Sequence, residues 1–412
     1  VKFDGIAEIE DLKVVKGTDN AGNAVDVVIS RTSEFKLVDA KTGIQRVVRS
    51  ILLQLLESPL QQKVRPVYFD GRQMRYADAF LKRFKSEQDT NNAIFKTNYE
   101  LEQFNDEVVQ VYQDDAYLAL DLTPDLSTAQ FQILSNWKSL GVKIHFVVYD
   151  LLAIAHPSWW NVGTDQMFHQ WMTKITAISD QLIGISQAVV SDVEQWLKAH
   201  PNKRRIPIKL SYFHLGADLA ASRPSTGLPS HATEVFQQMK QSKSFLSVGT
   251  LEPRKGYWQT LKAFDLLWAQ GLDVNWILVG KFGWKASELT QAIQKHPLFN
   301  QKLFWESGVS DEYLESLYQQ ADCLIAASEG EGFGLPLIEA AQKQLPILAR
   351  NLTVFKEVAG DFAFYFDGLE PQDLANAIKN WLALNEQQLA PQSSDMPYLS
   401  WQQSAAQLIS LI

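Results

Sequence analysis

The chain has 412 residues, too long for one ordinary core and sufficient for two or three domains. Its 46% hydrophobic and 21% charged residues are those of a folded globular protein rather than a disordered or fibrous one. A net charge of −9 argues against the broad basic face that a nucleic-acid partner would require, so an anionic ligand must be met by local cations or helix N-termini.

Short apolar runs alternate with longer amphipathic stretches, the βαβα pattern of parallel sheets covered by helices. Strands are expected in the first half at Val25–Ser30, Val64–Phe69, Ala116–Leu120, Lys143–Val148 and Gln181–Ile185. Between the first two, a helix opens after Gly43, with Ile44, Val47, Val48, Ile51, Leu52, Leu55 and Leu56 on one stripe. Gln45, Arg46 and Arg49 fall off that stripe and read as a solvated face. Trp159 and Trp160 sit in a loop, where packing against the other half of the molecule is a commoner fate than touching a membrane or glycan. The segment Ala220–Ala232, rich in Ser, Pro and Gly, reads as irregular chain between two domains.

Second-half strands are expected at Ser244–Val248, Trp276–Val279, Leu303–Trp305, Cys323–Ala326 and Pro346–Ala349, apolar enough to be buried on both faces. The single cysteine, Cys323, lies within such a run, which excludes an internal disulfide framework and favours packing over thiol chemistry. Ser400 to Ile412 reads as an amphipathic helix packing Trp401, Ala405, Leu408 and Ile409. The resulting division is an N-terminal domain over 1–222, a linker over 223–242, and a C-terminal domain over 243–397. Residues 398–412 return to the first domain. No stretch reaches the ~20 apolar residues of a membrane span and no secretory pattern opens the chain, so a cytoplasmic location is expected. Val1 in first position points to a trimmed or excised piece.

The strongest chemical signal is Ser328-Glu329-Gly330-Glu331-Gly332-Phe333-Gly334-Leu335-Pro336-Leu337-Ile338-Glu339. Here an apolar strand ends, glycines follow, and a helix begins near Pro336, where the missing proline N–H costs nothing. Such glycines let backbone approach a ligand and expose N–H groups at a helix start. A dinucleotide fingerprint would instead occupy the first βα turn of its domain. Glu339 is surrounded by apolar neighbours and so requires a partner. The second signal is Gly249-Thr250-Leu251-Glu252-Pro253-Arg254-Lys255-Gly256, two adjacent cations at a strand end beside a helix start, a plausible diphosphate clamp.

Together "VGTLEPRKG" and "SEGEGFGLPLIEAA" resemble the retaining glycosyltransferases of family 4, which have the GT-B architecture of two Rossmann-like α/β domains facing across a cleft. "KTGIQRVVRSIL" at Lys41–Leu52, "VVYDLLAIAHPSWW" at Val147–Trp160, "ILVGKFGW" at Ile277–Trp284 and "ILARNLTVFKEVAGDFAFYF" at Ile347–Phe366 extend the likeness over most of the chain. It is greatest to bacterial mannosyl- or rhamnosyltransferases of O-antigen, capsule or exopolysaccharide synthesis. The resemblance implies a nucleotide-diphosphate sugar donor, a glycan or lipid-linked acceptor, and no cofactor. It places Glu331 at the donor sugar, Glu339 on the ribose hydroxyls, and Arg254 and Lys255 on the diphosphate. The backbone of Gly332, Phe333, Gly334 and Leu335 would support sugar and phosphate. Gly249 would adjoin the phosphates. Gly280, Lys281, Gly308 and Val309 would lie near the nucleoside, with Gly43 approaching from the other domain.

Two departures shift weight within the site. Thr250 stands where many relatives have arginine, which leaves the phosphates to Arg254 and Lys255. Tyr149 replaces a frequent histidine, leaving Asp150 and His156 as polar candidates beside the acceptor, with His156 equally readable as a structural loop residue. No Asp-x-Asp triplet occurs, so no metal is expected. No pair of carboxylates flanking a glycosidic bond is recognisable, so front-face substitution is expected rather than double displacement. Rival readings are a non-catalytic sugar-nucleotide-binding module, a rhamnose or UDP-hexose donor, or a GT-B epimerase or phosphorylase. Lipid-linked acceptors would bring peripheral contact with the inner membrane face.

Overall fold

The computed structural model describes residues 27–31, 36–37, 43–57, 64–78, 99–100, 106–201, 206–217 and 225–412. The start of the Val25–Ser30 expectation and the start of the Ala220–Ala232 segment (220–224) lie outside them. The first sheet contains β1 (Val27–Arg31), β2 (Val64–Phe69), β3 (Met74–Tyr76), β4 (Ala116–Ala119), β5 (Lys143–Val148), β6 (Gln181–Gly184) and β7 (Lys209–Tyr212). Its spatial order is β3-β2-β1-β4-β5-β6-β7, parallel throughout except for β3, which pairs antiparallel with β2. The second sheet contains β8 (Lys243–Val248), β9 (Val274–Val279), β10 (Leu303–Glu306), β11 (Cys323–Ala326), β12 (Ile347–Arg350) and β13 (Ala363–Phe366). Its order is β10-β9-β8-β11-β12-β13, parallel at every pairing. Strand order reverses beside β8, so the ends of β8 and β11 flank a crevice where ligands of open α/β sheets sit.

Helices cover both sheets. They are α1 (Gly43–Glu57), α2 (Thr128–Ser139), α3 (Thr164–Ile178), α4 (Gln187–Ala199), α5 (Ala232–Gln241), α6 (Tyr257–Ala269), α7 (Ser287–Gln294), α8 (Asp311–Gln320), α9 (Leu335–Gln342), α10 (Thr353–Ala359), α11 (Pro371–Glu386) and α12 (Trp401–Ile409). Serines at the N-caps of α2, α4, α8 and α12 satisfy first-turn N–H groups, which sets where those helices begin. The stripe on α1 buries Val47, Val48, Ile51 and Leu55.

Two corrections concern the linker. Residues 232–241, assigned to it from sequence, form α5, which buries Ala232, Val235 and Met239 and packs on β8 and α8. Ser225, also within it, is tied down, its N–H and hydroxyl both donating to Asp311 at 2.8 Å at the start of α8. The chain crosses back near Gly216, where an added Cβ would stand 2.5 Å from the Trp401 nitrogen. Trp401 is fully buried and α12 packs against α1. Among the described residues no helix is long and apolar enough to cross a membrane.

Polar groups tie the two halves together alongside apolar packing. Glu357 on α10 accepts the N–H groups of Gln187 and Ala188 at 2.6 and 2.9 Å, capping α4 from across the boundary, and pairs with His214 Nε2 at 2.8 Å. Burial raises its pKa, but the His214 contact and the two N–H groups outweigh that and hold it below the ordinary carboxylate range. Its stabilisation is therefore present above an unfolded-state pKa of about 4.5 and is lost as pH falls through the lower folded value. Glu357→Ala is expected to lower stability by about 1–2 kcal/mol at pH 7, measured by urea unfolding, with the deficit shrinking toward pH 3.

Candidate active site

The site begins where β8 and β11 end. After β8, Gly249 adopts φ +150°, and the chain forms a 3-10 turn at Pro253–Lys255 closed by Gly256 at φ +69°. A Cβ on Gly256 would lie 2.2 Å from the Ala327 carbonyl oxygen, so only glycine permits this turn against the end of β11. The turn is stitched to the acidic loop by Glu329 N–H donating to the Arg254 carbonyl at 2.7 Å. Gly334, at φ +110°, ends that loop and starts α9.

This framework brings Arg254, Lys255 and Glu331 into one buried cluster. Arg254 Nη1 donates to Glu331 Oε2 at 2.5 Å and to the Gly330 carbonyl at 3.0 Å, while Nη2 pairs with Glu252 at 2.6 Å. Lys255 Nζ donates to Glu331 Oε1 at 2.6 Å, and the Ser328 hydroxyl donates to the same oxygen at 2.7 Å. Burial pushes the Glu331 carboxyl up, but Arg254 and Lys255 overwhelm that and bring its pKa down to about 2. Glu252 goes the other way, raised by burial with Arg254 and Lys255 offsetting part of the effect. The cations thus carry an internal carboxylate. A small crevice opens here, lined by Lys255, Tyr257, Ser328, Glu331, Gly334 and Pro336 among others.

The N-terminal half packs against the acidic loop at Gly332. Asp150, just past β5, faces Gly332, at which an added Cβ would lie 3.3 Å from the Asp150 Cβ and 2.0 Å from the Tyr149 carbonyl oxygen. Burial raises the Asp150 pKa, with Arg254 pulling partly against it. The Ser186 hydroxyl, which caps α4, also donates to the Gly332 carbonyl at 2.8 Å. His156 stacks on Trp159, with ring centroids 4.0 Å apart. Trp160 stacks on Trp284 at 4.7 Å, and Trp284 Nε1 donates to the Trp159 carbonyl at 2.9 Å, so these tryptophans clasp the other half of the molecule.

Other expected site residues lie further out. Gly280, Lys281, Gly308 and Val309 follow the ends of β9 and β10 on the same sheet edge but do not line the crevice. Gly280 closely abuts the backbone of Gly249, whose carbonyl oxygen an added Cβ would approach to 1.9 Å. Phe333 is buried and turns its ring toward His214, and Leu335 opens α9. Gly43 stands exposed at the start of α1 with open space about its Cα.

Three participants were not read from the sequence. Arg46, assigned to a solvated face, instead reaches across to Glu339, with Nη1 to Oε1 at 2.8 Å and a side chain only 16% exposed. Glu339 also accepts from the Tyr318 hydroxyl at 2.7 Å. Spacing on α1 could show that Arg46 leaves the apolar stripe, but not that a second domain covers it. Arg350, buried in β12, donates to the Ala327 and Ser328 carbonyls at the root of the acidic loop, and to Gly368 and Gln259. A lone arginine ending the apolar run Ile347–Arg350 was the available signal. Asp192 on α4 has its pKa raised by burial and then by Asp150, which places it in the same acidic field.

With this geometry in view, residues 232–393 match the family described as glycosyl transferases group 1. Over 375 residues, 90% of the chain, the sequence is 43% identical to the serotype-specific mannosyltransferase WbdA of Escherichia coli. The chain spans 44% of that protein's length. A 43-residue stretch, 10% of the chain, is 67% identical to part of the RNA polymerase β′ subunit of Flavobacterium psychrophilum, covering 3% of it. That match is too short to carry a fold or function. The structure is similar to Anabaena HepE solved with UDP-glucose, with TM-score 0.62 and 16% identity over 94% of this chain and 100% of that one. The architecture is GT-B, two Rossmann-like domains facing across the crevice.

Proposed function

We propose that the chain is a retaining hexosyltransferase that moves mannose from a nucleoside-diphosphate donor, GDP-mannose first, to a glycan or lipid-linked acceptor in bacterial surface polysaccharide synthesis. The observation that carries this reading is the Arg254–Lys255 pair buried on one loop and neutralised by Glu331. Two cations held at a crevice by an internal carboxylate are suited to exchange it for a diphosphate. The likeness to WbdA supports mannose and a polysaccharide product, and the GT-B crevice supports a nucleotide-sugar donor.

In this mechanism the diphosphate displaces Glu331 from Arg254 and Lys255, and Glu331 turns to the donor sugar. The cations then stabilise the charge that grows on the leaving group as the glycosidic bond breaks, ordinarily the largest catalytic contribution. The acceptor hydroxyl enters on the same face, its proton passing to the departing diphosphate oxygen while Asp150 orients it from the N-terminal half. No metal is assigned a role. Polar contacts between the halves favour closure over the bound donor.

Thermal unfolding with GDP, UDP and dTDP tests the donor, since a ligand bound only by the native state stabilises by about 2.7 kcal/mol at a hundred times its Kd. GDP is expected to raise Tm most, and no shift with any of the three would overturn the reading. NMR of the product formed from GDP-mannose decides the stereochemistry. An α-linked product is expected, and a β-linked one excludes retention.

A further inference from the structure

The contact between Arg46 and Glu339 is unusual for a structural tie. It joins a helix of the N-terminal half to α9, two residues of which line the crevice. Arg46 spends one nitrogen on Glu339, while its Nε and Nη2 are buried without a hydrogen-bond partner among the described residues. Buried donors are nearly always satisfied, and a planar guanidinium fork left with idle donors is poised for a multi-oxygen anion. Arg254 and Lys255, by contrast, are already held by Glu252 and Glu331. Glu339 is 3% exposed at its side chain and engaged at each oxygen once, by Arg46 and by Tyr318. A ribose diol brings hydroxyl donors that compete with Arg46 for that carboxylate, and the diphosphate of the same ligand brings the oxyanion that Arg46 lacks.

Resting on the nucleotide-sugar reading above, we infer that Arg46 is a donor-exchange residue. It occupies the nucleoside carboxylate Glu339 in the free protein and transfers to the diphosphate when the donor binds. One side chain then links recognition of the nucleoside to the arrival of the N-terminal half over the phosphates. A static tie between domains would make no distinction between the two parts of the ligand.

The test compares a nucleoside with its diphosphate, GDP with guanosine and UDP with uridine, by calorimetry and competition on wild type and Arg46→Gln. The pair whose diphosphate binds wild type decides. Removing Arg46 frees Glu339 but takes a cation from the phosphates, so the nucleoside is expected to bind about threefold tighter and the diphosphate about tenfold weaker. If Arg46→Gln does not fold, Arg46→Lys serves, with the diphosphate about threefold weaker and the nucleoside no weaker than in wild type. Any result in which both ligands weaken together, or the diphosphate is unaffected, overturns the exchange. Wild-type protein that binds neither GDP nor UDP instead removes the nucleotide-sugar reading itself.

Discussion

Arg254→Ala is expected to lower kcat/KM for sugar transfer by about 10²–10³, the loss found when one preorganised donor to a developing anion is removed. Arg254 is the junction of the site, meeting Glu331, Glu252 and the Gly330 carbonyl together. Its acids pull its own pKa upward against burial, so it remains charged at any working pH. Removal leaves Glu331 with Lys255 but strands Glu252, which is only 4% exposed. Breaking a buried pair costs about 3–5 kcal/mol when the remaining charge has no other support. Glu252 keeps Lys255 in its field, so the lower end of that range is expected and the chain still folds.

The pH dependence separates this cost from the catalytic one. Glu252 has a raised folded pKa, so its penalty is absent below its unfolded value and grows as pH rises past it. Urea unfolding should therefore show a smaller deficit for Arg254→Ala at pH 5 than at pH 7.5, while transfer stays depressed at both. Arg254→Lys, which keeps charge but loses the two-pronged fork, should fall between. Turnover within about threefold of wild type in Arg254→Ala would sink the assignment of this cluster to the leaving group.

Much of the sheet framework was legible because parallel strands buried on both faces leave unbroken apolar runs. Val64–Phe69, Lys143–Val148 and Cys323–Ala326 emerge with the bounds read from sequence. The strand at Lys209–Tyr212 was missed because it is an edge strand of mixed exposure, and Ala363–Phe366 because it is short and follows an amphipathic helix. Within the site, Arg254, Lys255 and Glu331 could be found because each lies on one of two glycine-dependent turns visible in the sequence. What could not be found was carried between the two halves. Arg46 and Glu339 are 293 residues apart, and Ser186 and Gly332 are 146 apart. A single helix pattern places a side chain on a face but not opposite a second domain. The same limit explains the linker, where Ala232–Gln241 looked like polar connecting chain until β8 and α8 supplied a surface for Val235 and Met239.

Gly332→Ala should separate donor binding from transfer. The new methyl would lie 2.0 Å from the Tyr149 carbonyl oxygen and 3.1 Å from its carbon, far inside van der Waals contact. Tyr149 cannot retreat easily, because it is 3% exposed within the first sheet's core and its hydroxyl donates to the Leu120 carbonyl at 2.8 Å. The acidic loop is equally fixed, with Glu331 held by Arg254, Lys255 and Ser328, and Arg350 gripping the carbonyls at its root. The strain is relieved most readily by parting the two halves by about 1 Å, a misplacement that can cost roughly 10² in rate. If the C-terminal half supplies most of the nucleotide affinity, as proposed, that affinity should stay within about threefold while kcat falls by about 10². The comparison of nucleotide Kd with single-turnover rate decides between the alternatives. Equal losses in both would mean that the methyl distorts the donor loop itself, and an undiminished rate would mean that transfer does not require the wall formed by Tyr149 and Asp150 to meet the loop at Gly332.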